Sequence, residues 1–231
     1  MQRFIFPRWI NKFMALLGIL ILAGGALYAT PLFLVATDPV TLNVGYRPDQ
    51  PVPFSHALHA GELKMDCRYC HQSVDKWAHS SVPATKVCIN CHSPLSPAGA
   101  PVLSAVHPQS PKLRAVHESW RTGESIDWVR IHRLPDFVYF NHSAHVNRGV
   151  SCVTCHGRVD KMETVYQAKN QSMAWCLDCH RDPAPHLRPV EYVTKLDWKA
   201  EDIGRDPIEL GREIMEQKHI HPSTNCSTCH R

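Results

Sequence analysis

The sequence predicts a mostly irregular chain with short α-helices, preceded by one long apolar helix at the N-terminus. Three observations lead to this expectation. Residues 13–37 contain no charged side chain, the chain carries 18 prolines among 231 residues, and all ten cysteines fall into five Cys-x-x-Cys-His motifs. Prolines at this density interrupt long helices and central strands. The regular cysteine motifs indicate that the soluble part is organised around something other than a large polypeptide core.

The apolar segment 13–37 is long enough to cross a bilayer. Arg3, Arg8 and Lys12 precede it, and Asp38 follows it. Because positive charge stays on the cytoplasmic side, residues 1–12 are expected in the cytoplasm. The rest of the chain is then expected on the periplasmic or extracellular side of the cytoplasmic membrane.

A cleaved signal peptide is the alternative for this segment, because it also begins with basic residues followed by an apolar run. Leu27 and Ala29 would offer a tolerable cleavage site. The apolar run is longer than a signal peptide needs. We therefore expect an uncleaved, single-pass anchor.

The five cysteine motifs share one feature, a histidine directly after the second cysteine. Histidine makes up 16 of the 231 residues, so five such coincidences have a chance of about one in a million. The motifs are Cys67/Cys70/His71, Cys88/Cys91/His92, Cys152/Cys155/His156, Cys176/Cys179/His180 and Cys226/Cys229/His230.

Covalent attachment of haem explains both the spacing and the histidine. Two thiols separated by two residues add to the two vinyl groups on one edge of a porphyrin, and the next residue is then held beside the iron. The sequence therefore predicts five covalently bound c-type haems. The ten cysteines would attach them, and the five histidines that follow would be their proximal iron ligands.

Zinc and disulfides are the alternatives for the cysteines. The spacings between Cys70 and Cys88 and between Cys155 and Cys176 are within or near the range of a zinc ribbon. Two ribbons would leave Cys226 and its partner unused, and would give the five histidines no role. Disulfides suit an exported chain with an even number of cysteines, but they do not explain the histidines either.

Five haems would also supply the core. Setting aside about 45 N-terminal residues leaves roughly 37 residues for each haem, too few to enclose each one in its own apolar core. Short helices packed on porphyrin faces are therefore expected. The formal net charge of +4 omits the haem propionates, which argues against nucleic acid as a partner.

A repeat divides the soluble part. The Phe-x-His-x-x-His sequence 54–59 precedes Cys67, and the same pattern at 140–145 precedes Cys152. The two copies are offset by 86 residues, and the following haem motifs by 85 and 88. The repeat predicts a first dihaem module at 38–92 and a second at 132–180.

The proline-rich segment 93–131 is expected to be an extended surface connector between the modules. Segment 181–231 follows the second module and carries the fifth haem motif. A helix that begins near Pro207 and contains Ile208, Leu210, Ile214 and Met215 is predicted there.

Eleven histidines remain as candidates for the sixth iron position. The best four belong to the two Phe-x-His-x-x-His sequences, because a spacing of three puts both imidazoles on one face of a helical turn. His132 is the predicted fifth ligand, and Met162 or Met215 would be an alternative that raises the potential of one haem. The four candidates are His56, His59, His142 and His145.

The Phe-x-His-x-x-His element resembles that of the small multihaem cytochromes of the c3 and c7 type. The resemblance implies that His56 ligates the haem of His71, and that His142 ligates the haem of His156. His59 and His145 would then reach other haems. Since six-coordinate iron has no open position for a substrate, the chain is expected to relay electrons, and no catalytic residue is predicted.

Several longer strings resemble the pentahaem cytochrome subunit of alternative complex III. They include Gly45-Tyr46-Arg47-Pro48, Pro51-Val52-Pro53-Phe54-Ser55-His56, Met65-Asp66-Cys67-Arg68-Tyr69-Cys70-His71, the stretch 128–145 and Cys226-Ser227-Thr228-Cys229-His230-Arg231. The resemblance implies a subunit of a membrane quinol:electron-acceptor oxidoreductase. Its partners would be integral membrane subunits that oxidise quinol, an iron-sulfur subunit, and a monohaem cytochrome or soluble periplasmic acceptor.

Two other functions stay open at this stage. One is a stand-alone, membrane-anchored quinol dehydrogenase of the tetrahaem type, which would accept electrons directly from quinol. The other is a cytochrome for electron storage or for the reduction of extracellular acceptors.

Overall fold

The computed structural model describes residues 6–38, 41–100 and 105–230. Arg3, Arg231 and residues 101–104 of the proline-rich segment, which entered the sequence arguments, lie outside these ranges. The chain divides into two compact units, Met1–Asn43 and Val44–Arg231.

The first unit is built on helix α1, Trp9–Thr37. Its 29 residues span about 43 Å at 1.5 Å per residue, enough to cross a bilayer. No residue of α1 is buried, and large apolar side chains cover its surface. Within the described residues it is the one helix long and apolar enough for a membrane span. The predicted apolar N-terminal helix is confirmed, although it begins four residues before the uncharged segment.

The second unit consists of short helices joined by irregular chain, and its described residues contain no β-strand. This agrees with the fold class expected from the sequence. Its α-helices are α2 Cys67–Cys70, α3 Thr85–His92, α4 Arg114–Thr122, α5 His142–Val146, α6 Cys152–His156, α7 Met173–Arg181, α8 Pro207–Gln217 and α9 Cys226–Cys229. A π-helical turn covers Ala57–Glu62, and 3₁₀ turns cover Pro111–Leu113, Val159–Lys161, Ala184–His186, Val190–Tyr192 and Ala200–Ile203.

Side-chain caps determine where several of these helices begin. The Asp66 carboxylate accepts from the Arg68 N–H at the start of α2. The Asn141 side chain accepts from the Ala144 N–H, which fixes the start of α5. A cap satisfies one of the N–H groups that a first helical turn leaves unpaired, which matters most when the helix has only one or two turns. Four of the five Cys-x-x-Cys pairs lie on helices of eight residues or fewer; the pair in α7 lies on one of nine.

The polypeptide cores of the second unit are small. One contains Val52, Ile89 and Val116, and another contains Val74, Val146 and Val193. The largest joins five buried residues, among them Leu210 and Ile214 of α8. Such separate cores are what we expect when bound groups supply most of the apolar interior.

The connector prediction is wrong for part of segment 93–131. Residues 114–122 form α4, and Val116 in this helix is only 1% exposed, in the core with Ile89 of α3. Gly123 ends the helix with a φ of 79°, which glycine adopts without strain. The prolines of segment 93–131 all precede this helix. Their density therefore indicated an extended chain for the whole segment, although residues 114–122 contain none.

Helix α8 forms where the sequence predicts it. Pro207 occupies its first turn, and the Asp206 side chain accepts from the N–H groups of Ile208 and Glu209. The helix packs on the 3₁₀ turn Ala184–His186. Gly211 allows this approach, because a Cβ at that position would overlap the carbonyl oxygen of Ala184.

Candidate functional site

Seven of the predicted ligand histidines in the described residues share one hydrogen bond. Their Nδ1 atoms lie 2.7–3.2 Å from a backbone carbonyl oxygen. A carbonyl only accepts, so each Nδ1 carries the proton and each Nε2 keeps its lone pair for a metal. The pairs are His59 with Ser55, His71 with Ser81, His92 with Val106, His142 with Ala78, His145 with Asn141, His180 with Ser223 and His230 with Phe137.

These carbonyl acceptors were not identified from the sequence. A backbone oxygen accepts in the same way whatever side chain its residue carries, so no residue type marks its position. Two acceptors, Ser55 and Asn141, lie four residues before their histidine in the same turn. The other five lie 10–93 residues away, and only the fold brings them to their histidines.

Three of the proximal histidines face a histidine of a Phe-x-His-x-x-His sequence. The ring centres are 6.2 Å apart for His59 and His92, and 6.1 Å apart for His145 and His180. For His142 and His156 they are 6.4 Å apart.

These separations fit an iron between the two rings. A metal–imidazole bond is about 2 Å long and the ring centre lies about 1.1 Å beyond the nitrogen, so two axial imidazoles have ring centres about 6.3 Å apart. Ordinary aromatic pairs lie 4.5–7 Å apart, so the distance alone does not require an iron, and the second condition is an Nε2 left available by the bond at Nδ1. The donor set therefore suits bis-histidine haem iron, although the ligand assignments themselves stay predictions.

Burial keeps several of these imidazoles neutral, as metal ligands must be. It lowers the pKa of His156 to about 3, with the neighbouring His132 as the next cause. Burial likewise lowers the pKa of His56 to about 4, followed by the charge of His71. The pKa values of His142 and His145 are also lowered, mainly by burial.

The charge of His71 contributes to the lowered pKa of His56, but the two rings are not among the facing pairs. The Nδ1 of His56 is buried without a hydrogen-bond partner in the described residues. The Phe54 ring packs against both His56 and His59, at 4.8 and 4.3 Å between ring centres. Phe140 packs in the same way on His142 and His145, so the aromatic residue of each repeat orients its two histidines.

His132 lies beside His156. The Nε2 of His132 is 3.3 Å from the Nδ1 of His156, and the ring centres are 4.4 Å apart. His156 is thus the proximal histidine whose Nδ1 meets another imidazole instead of a carbonyl oxygen. The nitrogen with which His132 would bind an iron is engaged by His156 in this structure. Its role as a sixth ligand stays a prediction.

The ten predicted attachment cysteines are not equally covered. Eight are partly buried, whereas Cys91 and Cys226 are exposed.

The position of Cys91 in α3 explains its exposure. Cys88, one turn earlier, packs against the core of Val52, Ile89 and Val116. Cys91 lies in the last turn, where its carbonyl accepts from the N–H of Val106 at 2.8 Å. Val106 is itself exposed, so the end of α3 is held at the surface by irregular chain and not by a core. The role of Cys91 in haem attachment stays a prediction from its motif.

The two repeats dock on each other in the same way. The Ser143 N–H donates to the Trp77 carbonyl, in the loop that follows the first motif of module one. The Ala57 N–H donates to the Met162 carbonyl, in the loop that follows the first motif of module two. Ser143 corresponds to Ala57 in the repeat, and Met162 corresponds to Trp77. Each repeat therefore makes the same backbone hydrogen bond to the other. A sequence repeat alone does not show whether its copies stand apart or exchange contacts.

Neither alternative for the cysteines is supported. The ten cysteines, all within the described ranges, form no disulfide. Among the described residues no group of three or more His, Cys, Asp or Glu side chains is arranged to hold a metal ion, as a zinc ribbon would require. The two methionines considered as ligands pack against the polypeptide. Met162 is 5% exposed, and Met215 lies against the core that contains Leu210 and Ile214 of α8.

Comparison with known proteins gives one informative relative. The chain is 26% identical over 193 residues to the multihaem cytochrome c subunit of menaquinone reductase from Nitratidesulfovibrio vulgaris, a match that covers 79% of this chain and 77% of the relative. No family model matches the chain.

Proposed function

We propose that this chain is a membrane-anchored, pentahaem c-type cytochrome that relays electrons within a membrane quinone oxidoreductase. The haems supply the one-electron chemistry. The five cysteine pairs would attach them, the histidines would bind their irons, and burial excludes water from several of these imidazoles. Helix α1 anchors the chain, and the haem-bearing unit lies on the periplasmic side.

One observation carries the proposal. In three of the five Cys-x-x-Cys-His motifs the histidine is paired with a second histidine whose ring centre is 6.1–6.4 Å away. Carbonyl bonds at Nδ1 orient five of these six imidazoles with Nε2 available, and in His156 the Nδ1 lies against His132 instead. A site with histidine on both sides of the iron leaves no position for a substrate, so electron transfer is the chemistry that the arrangement supports.

The resemblance to the pentahaem subunit of alternative complex III favours quinol oxidation as the source of electrons. In this proposal integral membrane subunits oxidise quinol, and an iron-sulfur subunit passes the electrons to this chain. A monohaem cytochrome or a soluble periplasmic protein then accepts them. The relative from Nitratidesulfovibrio vulgaris, itself a subunit of a quinone-linked complex, supports assembly with membrane partners.

Electron transfer towards quinone is a second candidate, which the printed name of that relative favours. The two candidates share the haem chain and the anchor but differ in the direction of flow. Sequence strings such as Gly45-Tyr46-Arg47-Pro48 support the first, and 26% identity over most of the chain supports the second.

The test begins with the full chain purified from membranes in mild detergent. We expect five haems per polypeptide by the pyridine haemochrome assay, low-spin ferric spectra, and co-purification of an iron-sulfur subunit with multi-spanning subunits. Fewer than five haems would refute the pentahaem assignment. If the chain purified alone reduced its haems on addition of menaquinol, the stand-alone quinol dehydrogenase would replace the relay.

The direction is tested with the intact complex. Steady reduction of an added cytochrome acceptor by menaquinol would support quinol oxidation. Steady consumption of menaquinone with a low-potential cytochrome donor, without the reverse activity, would support the second candidate instead.

A further inference from the structure

The contacts between the five haem motifs determine which motif lies beside which. The sequence does not give this order, because motifs that follow each other in the chain need not be neighbours in space. Four independent sets of contacts connect the motifs pairwise.

The two motifs of the second module are joined by α5. His142 of this helix faces His156, and His145 of the same helix faces His180, at 6.4 and 6.1 Å between ring centres. A helix of five residues thus serves two attachment sites. The third and fourth motifs are therefore neighbours.

The two motifs of the first module are joined in a similar way. His59 faces His92 at 6.2 Å between ring centres, and the His59 carbonyl accepts from the N–H of Met65, two residues before Cys67, at 3.0 Å. The Asn90 side chain in α3 donates to the Tyr69 hydroxyl in α2 at 3.1 Å. This bond links the helices that carry the first and second cysteine pairs.

Residues Val193 and Thr194 join the two modules at their first motifs. The Val193 carbonyl accepts from the Ser151 hydroxyl at 2.8 Å and from the Cys152 N–H at 3.2 Å. The Thr194 hydroxyl donates to the Asp66 carboxylate at 2.8 Å. Val193 has no exposed surface, so this joint is a fixed part of the interior.

The same segment also meets the first cysteine of the first module, since the Cys67 Sγ lies 3.9 Å from the Thr194 carbonyl oxygen. The first and third motifs are therefore neighbours, although the second motif lies between them in the sequence.

The fifth motif lies beside the fourth. The Nδ1 of His180 donates to the Ser223 carbonyl at 2.8 Å, three residues before Cys226. On its other side, the fifth motif bonds to the segment that leads into α5, since the Tyr139 N–H donates to the Cys229 carbonyl at 2.8 Å.

We propose that the five attachment sites form one unbranched row in the spatial order second, first, third, fourth and fifth motif. The ends of the row are then the Cys88/Cys91 site and the Cys226/Cys229 site, the two sites that contain the exposed cysteines Cys91 and Cys226. The first motif in the sequence is an interior site. This inference rests on the proposed relay function, and it implies that the redox partners exchange electrons at the second and fifth motifs.

The test removes one site at a time from the full-length holoprotein and follows the midpoint potentials of the remaining haems. Neighbouring haems influence each other's potential through their charges, and the influence falls with distance. The variants are Cys88→Ala/Cys91→Ala and Cys226→Ala/Cys229→Ala for the ends, with Cys67→Ala/Cys70→Ala as the interior control. Haems are identified by replacing their distal histidine with methionine, which raises the potential of that haem.

Removal of either end site should shift the potential of one remaining haem, the one bound at His71 or at His180. Removal of the interior Cys67/Cys70 site should shift two, those bound at His92 and His156. The row is refuted if removal of the Cys88/Cys91 site shifts the haem at His156, or if the interior removal leaves that haem unchanged.

A second measurement needs no variant. In the reduced intact protein, magnetisation transfer between haem methyl groups should connect the haems of His71 and His156, and should not connect those of His92 and His156. Both readouts are independent of quinone chemistry. If the quinol assay fails but the predicted haem connections are found, the proposed complex is wrong and the row stands. If the quinol assay succeeds but the haem connections differ, the row is wrong and the proposed complex stands.

Discussion

The Nδ1 of His156 lies 3.3 Å from the Nε2 of His132, so a predicted axial ligand is hydrogen-bonded to a second imidazole. The other proximal histidines donate to carbonyl oxygens, which are fixed parts of the backbone. A partner at Nδ1 makes an axial imidazole a stronger electron donor and stabilises the ferric state. His132 is therefore placed to influence one haem through its ligand.

We predict that His132→Phe keeps the haem at His156 low-spin and raises its midpoint potential. A hydrogen bond contributes about 1 kcal/mol net, which corresponds to roughly 40 mV for a one-electron couple. The measurement is a redox titration followed by electron paramagnetic resonance. His221→Phe, which changes an exposed histidine, is the matched control and should shift nothing. A new high-spin signal in His132→Phe would instead make His132 the sixth ligand that the sequence predicts.

The distal ligands give a second prediction. His142→Ala and His145→Ala should each convert one haem to a high-spin form, while all five haems stay attached, because the cysteines are unchanged. Spin state is read from the absorption and electron paramagnetic resonance spectra, and haem number from the haemochrome assay. His117→Ala is the control, since its Nε2 is engaged by the His92 carbonyl and His117 is not among the predicted ligands. An all low-spin spectrum of His142→Ala would remove His142 from the ligands.

Much of this site follows from local sequence. The five motifs, the apolar helix and the helix at Pro207 depend on residues close together in the chain, whose spacing reports their chemistry directly. The joint at Val193 and the exchange of contacts between Ser143 and Trp77 depend on backbone groups far apart in sequence. Backbone groups leave no residue signature, so these relations could not be predicted. Helix α4 was missed for another reason, because the surrounding prolines outweighed its short apolar pattern.

A third prediction concerns packing at Gly211. An exposed Gly→Ala change inside a helix normally stabilises it by up to about 1 kcal/mol. At Gly211 the added Cβ would overlap the Ala184 carbonyl, so α8 must move away from the turn Ala184–His186. We expect Gly211→Ala to lower stability by about 1–3 kcal/mol, measured as a lower melting temperature of the holoprotein. Gly24→Ala, also within a helix but with open space around the Cβ, is the control and should not lower it.

The last prediction concerns acid and the Asp66 carboxylate, which caps α2 and accepts from Thr194 at the joint between the modules. The hydrogen bond from Arg68 is the largest cause that lowers the pKa of Asp66, to about 2 from its usual 3.8, and Thr194 lowers it further. The unfolded chain therefore binds more protons than the folded chain between about pH 4 and pH 2. The stability that ionised Asp66 contributes is fully present above pH 4, and is lost as the pH falls towards 2.

Asp66→Asn keeps a side chain that can cap the helix but removes the charge. We expect it to lower stability at pH 7 by about 1 kcal/mol, because Asp66 is substantially exposed and solvent weakens its ion pair with Arg68. The difference in melting temperature between wild type and variant should shrink as the pH falls from 4 to 2.5, measured by circular dichroism in the Soret band. Asp49→Asn, at an exposed position, serves as the control. A difference that stays constant across this range would mean that the Asp66 charge does not stabilise the joint, and that its hydrogen bonds alone hold α2 to Thr194.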